Sequence, residues 1–198
     1  MKNEFIELLT STQRHGVDNV IEKLDKAGFF NAPASVNRHL NVPGGLLQHS
    51  MNVCKVALKL WEVMKEMKPG LEERVPRESV IIASLLHDVC KSNIYKIAQK
   101  WRKNEQGQWE TYNTYDVDYS RLPLGHGEKS VIILLRLGLE LTNEEIVAIR
   151  WHMGAWDLAF QSYELKNNIS EAGEKFPLVS IIQAADGLSA HLLEANQK

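Results

Sequence analysis

Apolar residues recur at intervals of three and four along most of the chain, which is the spacing of one face of an α-helix. The segment Phe29–Pro43 lacks this period and contains two prolines, so we predict a long loop there. Arg77–Lys91 is apolar nearly all round, which indicates a buried central helix. The predicted helices are Glu4–Gln13, Val17–Ala27, Gly44–Met67, Arg77–Lys91, Gly127–Leu137, Asn143–Met153 and Pro177–Ala195.

One segment breaks the helical pattern. Aromatic and β-branched residues surround Asn104–Gly107, which predicts a β-hairpin of Tyr95–Lys103 against Gln108–Tyr115. The sequence therefore predicts an all-α helical bundle with a small hairpin insertion at about 95–117. We expect one domain over 1–198, with an N-terminal helical extension at 1–30 and a helical core at 44–195.

Several His and Asp residues occupy positions where the helical spacing calls for core side chains. A single buried histidine is more often a hydrogen-bonded structural residue than a ligand. Several of them on separate helices favour a shared divalent cation, because imidazole nitrogen and carboxylate oxygen both bind such ions. On one continuous helix adjacent residues point about 100° apart, so we expect the ligands to come from several helices. These residues are His49, His87, Asp88, His152 and Asp186, whereas His15, His39 and His191 do not fit the pattern.

The order of these motifs resembles the HD-domain superfamily of metal-dependent phosphohydrolases. The matching stretches are Gly44–Ser50 (GGLLQHS), Leu85–Lys91 (LLHDVCK) and Ala184–Asp186 (AAD). Gly125–Ser130 and Trp151–Gly154 look like the two extra histidine motifs of members with binuclear sites. The nearest subgroup resemblance is to the HD domain of 3′–5′ exoribonuclease-type proteins. Residues 1–30, however, have a helical pattern rather than that of an oligonucleotide-binding fold. This departure favours a small substrate over an RNA chain.

The resemblance implies an HD-domain bundle that binds one or two divalent transition metals (Fe, Mn, Ni or Zn, with Mg as a further option). Our hypothesis is that Asp88 bridges two ions. The first ion would be held with His49, His87 and Asp186, and the second with His126 and His152. Met153 stands where many binuclear members have a second histidine, and a thioether is a poor ligand for hard metals.

The implied chemistry is attack of activated water on a phosphate ester. Asp88 and Lys91 are the candidate catalytic residues, with Lys91 placed to meet a phosphoryl oxygen. A basic residue at the end of a helix is equally explained by the helix dipole. Four further residues are candidates for substrate binding, and ordinary ion pairs or packing would also explain them. They are Lys129, Arg150, Trp151 and Trp156.

The composition of the chain limits the kinds of binding partner to be expected. The 198 residues carry a formal net charge of −2, which gives no electrostatic footprint for duplex nucleic acid, and no apolar run is long enough to cross a membrane. Cys54 and Cys90 form no CxxC motif, so we expect a reducing cytoplasm. The expected partner is a small phosphorylated, nucleotide-like substrate. Two alternatives stay open, a di-iron oxygenase on the same scaffold and a non-catalytic metal-binding regulatory module.

Overall fold

The computed structural model describes residues 1–36, 38–92, 94–118, 124–154 and 163–195, with the main chain alone at 163–166. The helices and strands are α1 (Lys2–Ser11), α2 (Val17–Lys26), α3 (Gly45–Met67), α4 (Leu71–Arg74), α5 (Arg77–Leu86), β1 (Tyr95–Lys103), β2 (Trp109–Val117), α6 (His126–Arg136), α7 (Asn143–Trp151), α8 (Tyr163–Lys175) and α9 (Pro177–Leu188). Short 3₁₀ turns cover Phe29–Asn31 and Val89–Lys91, and a π-helical turn covers Ser189–Leu193.

Helix α5 is the centre of the bundle. Every residue from Ser79 to Leu86 is buried, which confirms the central helix that the sequence predicts. Helices α1, α3, α7 and α9 pack around it, and α6 joins through α7. A helix that is apolar on all sides is stable only when it is enclosed in this way. The all-α bundle predicted from the sequence is therefore confirmed.

Helix α7 is fixed at its start by a buried polar network. Thr142 and Glu145 form the reciprocal capping box that satisfies two free N–H groups of the first turn. The Glu145 carboxylate is fully buried and accepts two hydrogen bonds of 2.8 Å from Arg14 and one of 2.6 Å from Ser79. The turn between α1 and α2 is thereby tied to both α5 and α7.

The hairpin prediction is also confirmed. Strands β1 and β2 pair antiparallel in a two-stranded sheet, with Tyr95 opposite Val117 and Lys103 opposite Trp109. Residues on one face are largely exposed, among them Ile97 and Trp101.

The ends of several helices differ from the sequence prediction. Helix α5 ends at Leu86 rather than Lys91, and α9 changes to a π-helical turn after Leu188. The sequence pattern assigns no helix to Tyr163–Lys175, because this polar segment has few apolar positions and includes Gly173. Within the described ranges no single helix is long and apolar enough to cross a membrane; Asn167–Lys175 and Pro177–Leu193 meet the criteria only as a pair bent by 105°.

Candidate metal centre

Two helices end in a histidine held in the same way. His87 is the C-cap of α5 and His152 the C-cap of α7, with nearly equal backbone angles (φ −55°, ψ −34° and φ −58°, ψ −33°). Each ring places Nδ1 2.8 Å from the carbonyl oxygen three residues earlier, that of Ser84 or Ile149. A carbonyl only accepts, so Nδ1 carries the proton and Nε2 keeps its lone pair. Both lone pairs are buried.

The end of α5 brings Asp88 to the same place as His87. Asp88 leaves the helical conformation (φ −110°, ψ 19°), and its Oδ2 lies 3.4 Å from His87 Nε2. The expectation that these neighbours point about 100° apart on one helix is therefore wrong, because the helix stops before them. The other carboxylate oxygen of Asp88, Oδ1, lies 3.6 Å from His152 Nε2.

Helices α3 and α9 supply the remaining members. His49, in the first turns of α3, places Nε2 3.2 Å from His87 Nε2 and 3.2 Å from Asp186 Oδ1. The same nitrogen lies 3.7 Å from Asp88 Oδ2. The structure thus gathers five of the six predicted metal ligands, from α3, α9 and the ends of α5 and α7.

These residues fit a divalent cation. Metal–ligand bonds of about 2.0–2.2 Å place neighbouring ligand atoms roughly 3.0–3.5 Å apart, close to the separations of 3.2–3.7 Å found here. Asp88 Oδ1 and His152 Nε2 are buried and have no hydrogen-bond partner within the described residues. A buried polar atom without a partner is costly, and a cation between these two acceptors would remove that cost.

The electrostatics of the cluster also favour positive charge. Burial alone would lower the pKa of His49, but hydrogen bonds to Asp186 and Glu194 raise it to about 9. Burial would raise the pKa of Asp186, yet the hydrogen bond from His49 and the neighbouring histidines hold it below its ordinary value. A proton on His49 and a metal ion at Nε2 therefore compete for the same negative surroundings.

Lys91 lies against the carboxylate of Asp88. Its side chain is 11% exposed and its Nζ donates to Asp88 Oδ2 over 2.6 Å. Burial would lower the pKa of Lys91, but the charge of Asp88 raises it, and Lys91 is the strongest influence that lowers the pKa of Asp88. The 3₁₀ turn after α5 puts this ammonium group beside the cluster.

The sixth predicted ligand lies apart. His126 is the first residue of α6, and its Nδ1 lies 3.7 Å from Cys90 Sγ. Three groups of metal-binding atoms lie within 4.8 Å of one another in the described ranges, and His126 belongs to none of them. Gly127 brings the start of α6 against α7, because a Cβ there would lie 2.2 Å from the carbonyl oxygen of Arg150.

Three of the four predicted substrate-binding residues lie on α6 and α7. Arg150 pairs with Glu128 over 2.8 Å and stacks on the buried ring of Trp151, with 4.1 Å to its centroid. Lys129 is 8% exposed, and its side chain forms no hydrogen bond or ion pair within the part of the chain that the structure describes. Trp156 lies outside the described residues.

Sequence reasoning missed two members of the cluster, His39 and Glu194. Glu194 accepts from His49 Nδ1 over 2.9 Å, and His39 Nε2 lies 3.9 Å from the same carboxylate. Gly45 indicates why the loop that carries His39 can lie close to α3. A Cβ at Gly45 would lie 2.1 Å from the carbonyl oxygen of Leu40, so the glycine lets the loop fold onto α3 beside His49.

The comparisons with known proteins agree with this geometry. The HD domain matches residues 46–191, well over half of the chain. The chain belongs to the HD domain family. The matched region holds all six predicted metal ligands, and Glu194 and His39 lie outside it.

One curated relative carries an activity in its name. The chain is 36% identical over 91 residues to dihydroneopterin 2′,3′-cyclic phosphate phosphodiesterase of Methanocaldococcus jannaschii, a match that covers 46% of this chain and 33% of the relative. The match thus spans about a third of the relative's length. No solved structure matches the chain. The family and this relative support the class that the sequence predicts, a metal-dependent phosphohydrolase.

Proposed function

We propose that this protein is a metal-dependent phosphohydrolase that cleaves a small, nucleotide-like phosphate ester or phosphodiester with water. One observation carries the proposal: His87 Nε2 lies 3.4 Å from one oxygen of Asp88 and His152 Nε2 lies 3.6 Å from the other, and His49 brings Asp186 to the same cluster. A divalent cation at such a site supplies activated water and positive charge for attack on phosphorus.

Asp88 is the residue that would contact both ions. Its Oδ2 faces His49 and His87, while its Oδ1 faces His152, so the two oxygens serve opposite sides of the cluster. His49, His87, Asp88 and Asp186 would hold the first ion. A second ion held by Asp88, His126 and His152 remains a prediction, and it requires His126, which belongs to none of the groups of possible ligands among the described residues, to approach Asp88 and His152.

Lys91 keeps a positive charge next to the reacting centre. Its ammonium group has three donors, of which one is engaged by Asp88 Oδ2. A free donor there can meet a phosphoryl oxygen and offset the charge that develops during attack. Lys129 is a second candidate for binding phosphate, because its buried stem carries a charge that no described residue pairs.

The substrate class is inferred from charge and from the relative. A net charge of −2 does not suit duplex nucleic acid, whereas a small phosphate ester needs only the local positive charge of the centre. The relative from Methanocaldococcus jannaschii is named for a 2′,3′-cyclic phosphate phosphodiester. We therefore place cyclic phosphodiesters first among the substrates to test.

The test is a metal-dependent hydrolysis panel. Protein stripped of metal and reloaded with Mn²⁺, Fe²⁺, Ni²⁺, Zn²⁺ or Mg²⁺ is assayed against 2′,3′-cyclic nucleotides, nucleoside monophosphates and an unspecific phosphodiester. We expect release of a phosphate monoester or of inorganic phosphate with at least one of the metals, and none after chelation.

His191→Ala serves as the control, because His191 is exposed on the π-helical turn outside the cluster. It should hydrolyse the substrate at the wild-type rate. A protein that binds metal but hydrolyses no ester would overturn the proposal in favour of a binding module. Oxygen consumption by an iron-loaded protein would favour the oxygenase.

A further inference from the structure

Glu194 is a buried carboxylate directly after the π-helical turn, and nothing in the motifs of the sequence marks it. Its side chain is fully buried although it follows three exposed residues. The Oε2 atom lies 2.9 Å and the Oε1 atom 3.2 Å from His49 Nδ1. Asn52, one turn along α3 from His49, donates to Oε1 over 2.9 Å. The carboxylate is thus held in place by two side chains of α3.

This contact decides which nitrogen of His49 faces the metal ligands. A carboxylate only accepts, so the hydrogen bond to Glu194 keeps the proton on Nδ1. The opposite nitrogen, Nε2, then faces His87 and Asp186, both 3.2 Å away, and is the nitrogen that a metal ion would bind. His87 and His152 obtain the same arrangement from backbone carbonyls at their own helix ends. His49 lies inside α3, where the carbonyls of its own helix are already engaged, and depends on a partner from a distant segment.

We propose that Glu194 is a positioning residue of the metal centre, which orients His49 and makes its Nε2 a stronger ligand. The inference rests on the proposed function in one respect, that the cluster binds a divalent cation. A carboxylate paired with the far nitrogen of a ligating histidine fixes the tautomer and raises the basicity of the ligating nitrogen. A backbone carbonyl fixes the tautomer but carries no full charge, so His49 is the most strongly activated of the three histidines.

The same residues do not form a second metal site of their own. His39, His49 and Glu194 bring three possible ligand atoms within 4.8 Å of one another. An ion there would need Nδ1 of His49, and the ring would then have to give up its last N–H while Nε2 serves the main cluster. Glu194 also lies closer to His49 Nδ1, at 2.9 Å, than to His39 Nε2, at 3.9 Å.

The experiment measures Co²⁺ affinity without substrate. Glu194→Ala should weaken Co²⁺ binding by about 10- to 100-fold, the usual effect of losing such a partner. Glu194→Gln keeps an oxygen that accepts from Nδ1 but loses the charge, so its loss of affinity should be smaller. Glu171→Gln, which removes one exposed carboxylate paired with Lys175 on α8, should bind Co²⁺ like the wild type.

A second measurement separates positioning from general support of the fold. In the Zn²⁺-loaded protein, ¹H–¹⁵N spectra of the imidazoles should show a proton on His49 Nδ1 that exchanges slowly in the wild type and in Glu194→Gln. In Glu194→Ala this proton should exchange rapidly with water. A loss of packing alone would lower the melting temperature and leave this proton unchanged.

His39→Gln completes the set, because it removes the other imidazole beside Glu194 and leaves the contact with His49. Its Co²⁺ affinity should stay near that of the wild type. Glu194→Ala binding Co²⁺ within about threefold of the wild type, with the Nδ1 proton still protected, would overturn the proposal. Since no substrate is present, an inactive wild-type protein would count against the proposed function and not against Glu194.

Discussion

A histidine stands at the C-terminal ends of α5 and α7 and at the start of α6. The three histidines differ in the group that contacts their Nδ1 atom. At the two C-terminal ends, His87 and His152 donate Nδ1–H to a carbonyl of their own last turn and direct Nε2 into the cluster. At the N-terminal end of α6, His126 has its Nδ1 beside Cys90 instead. The last turn of a helix presents free carbonyls, whereas the first turn presents free N–H groups.

The difference shows why C-terminal ends suit a cation. The negative end of the helix dipole points at a group placed there, so α5 and α7 both stabilise positive charge near Asp88. The start of α6 presents the positive end, which favours anions such as phosphate. We therefore expect the ends of α5 and α7 to bind the metal more strongly than His126 does.

The largest effect should follow from removing the carboxylate between the two C-terminal ends. Asp88→Asn keeps the shape of the side chain but removes the negative charge that faces both His87 and His152. We expect metal affinity to fall by at least about 100-fold, and hydrolysis with it, because even an indirect partner of a ligand is worth 10- to 100-fold. Calorimetric metal titration measures the affinity. A wild-type value would contradict the claim that the C-terminal ends of α5 and α7 bind the metal through Asp88.

A smaller effect is expected at the end of α7. His152→Ala should leave the protein folded with the first ion bound and lower the metal content from about two ions per chain to about one, since His152 is a proposed ligand of the second ion. Elemental analysis and a melting curve on this variant separate two explanations. If His152 only packs beside Trp151, stability should fall by roughly 1–3 kcal/mol with the metal content unchanged.

Acidity should compete with the metal at His49 and His152 rather than at His87. Burial would lower the pKa of His152, but the charge of Asp88 raises it. The proton on His49, whose pKa is raised to about 9, must leave before Nε2 can bind an ion. Burial lowers the pKa of His87, which therefore carries no competing proton at neutral pH. Apparent metal affinity should rise by up to about tenfold per pH unit between roughly pH 7 and pH 9 and then level off. Competition with a chelator of known affinity measures this dependence, and a flat profile would contradict it.

The smallest effect is expected at the start of α6. His126→Ala should change the affinity for the first ion by less than about threefold, because His126 lies outside the cluster. If a second ion binds, this variant should reduce the stoichiometry from about two ions per chain to about one. A large loss of the first ion would show that α6 contributes as much as the other two helices.

The sequence alone predicts those candidate ligands that occupy core positions of a helical pattern. His49, His87, His152 and Asp186 replace core residues at intervals of three or four, and all four lie in the cluster. The sequence could not predict that α5 ends at Leu86, because Val89 and Cys90 continue the apolar pattern of the helix and are themselves buried. This end of the helix, and not the periodicity, brings Asp88 next to His87.

The residues that sequence reasoning missed depend on tertiary contacts. Glu194 meets His49 across 145 positions of the chain, from the residue just past an irregular π-helical turn. His39 lies in a loop without any period, and only the close approach of Gly45 to Leu40 hints at its position. Periodicity reports which face of a helix is buried, but it carries no information about which distant side chain meets that face.

The buried ion pair between Arg14 and Glu145 limits how far the chain can be shortened without loss of stability. Arg14 precedes the region that matches the HD domain, residues 46–191, and Glu194 follows it. A fragment trimmed to the matched region would leave the carboxylate of Glu145 enclosed without its guanidinium group, a loss of about 3–5 kcal/mol. The same fragment would lack the carboxylate that faces His49. The boundaries of the family and the boundaries of the smallest stable folding unit therefore do not coincide in this chain.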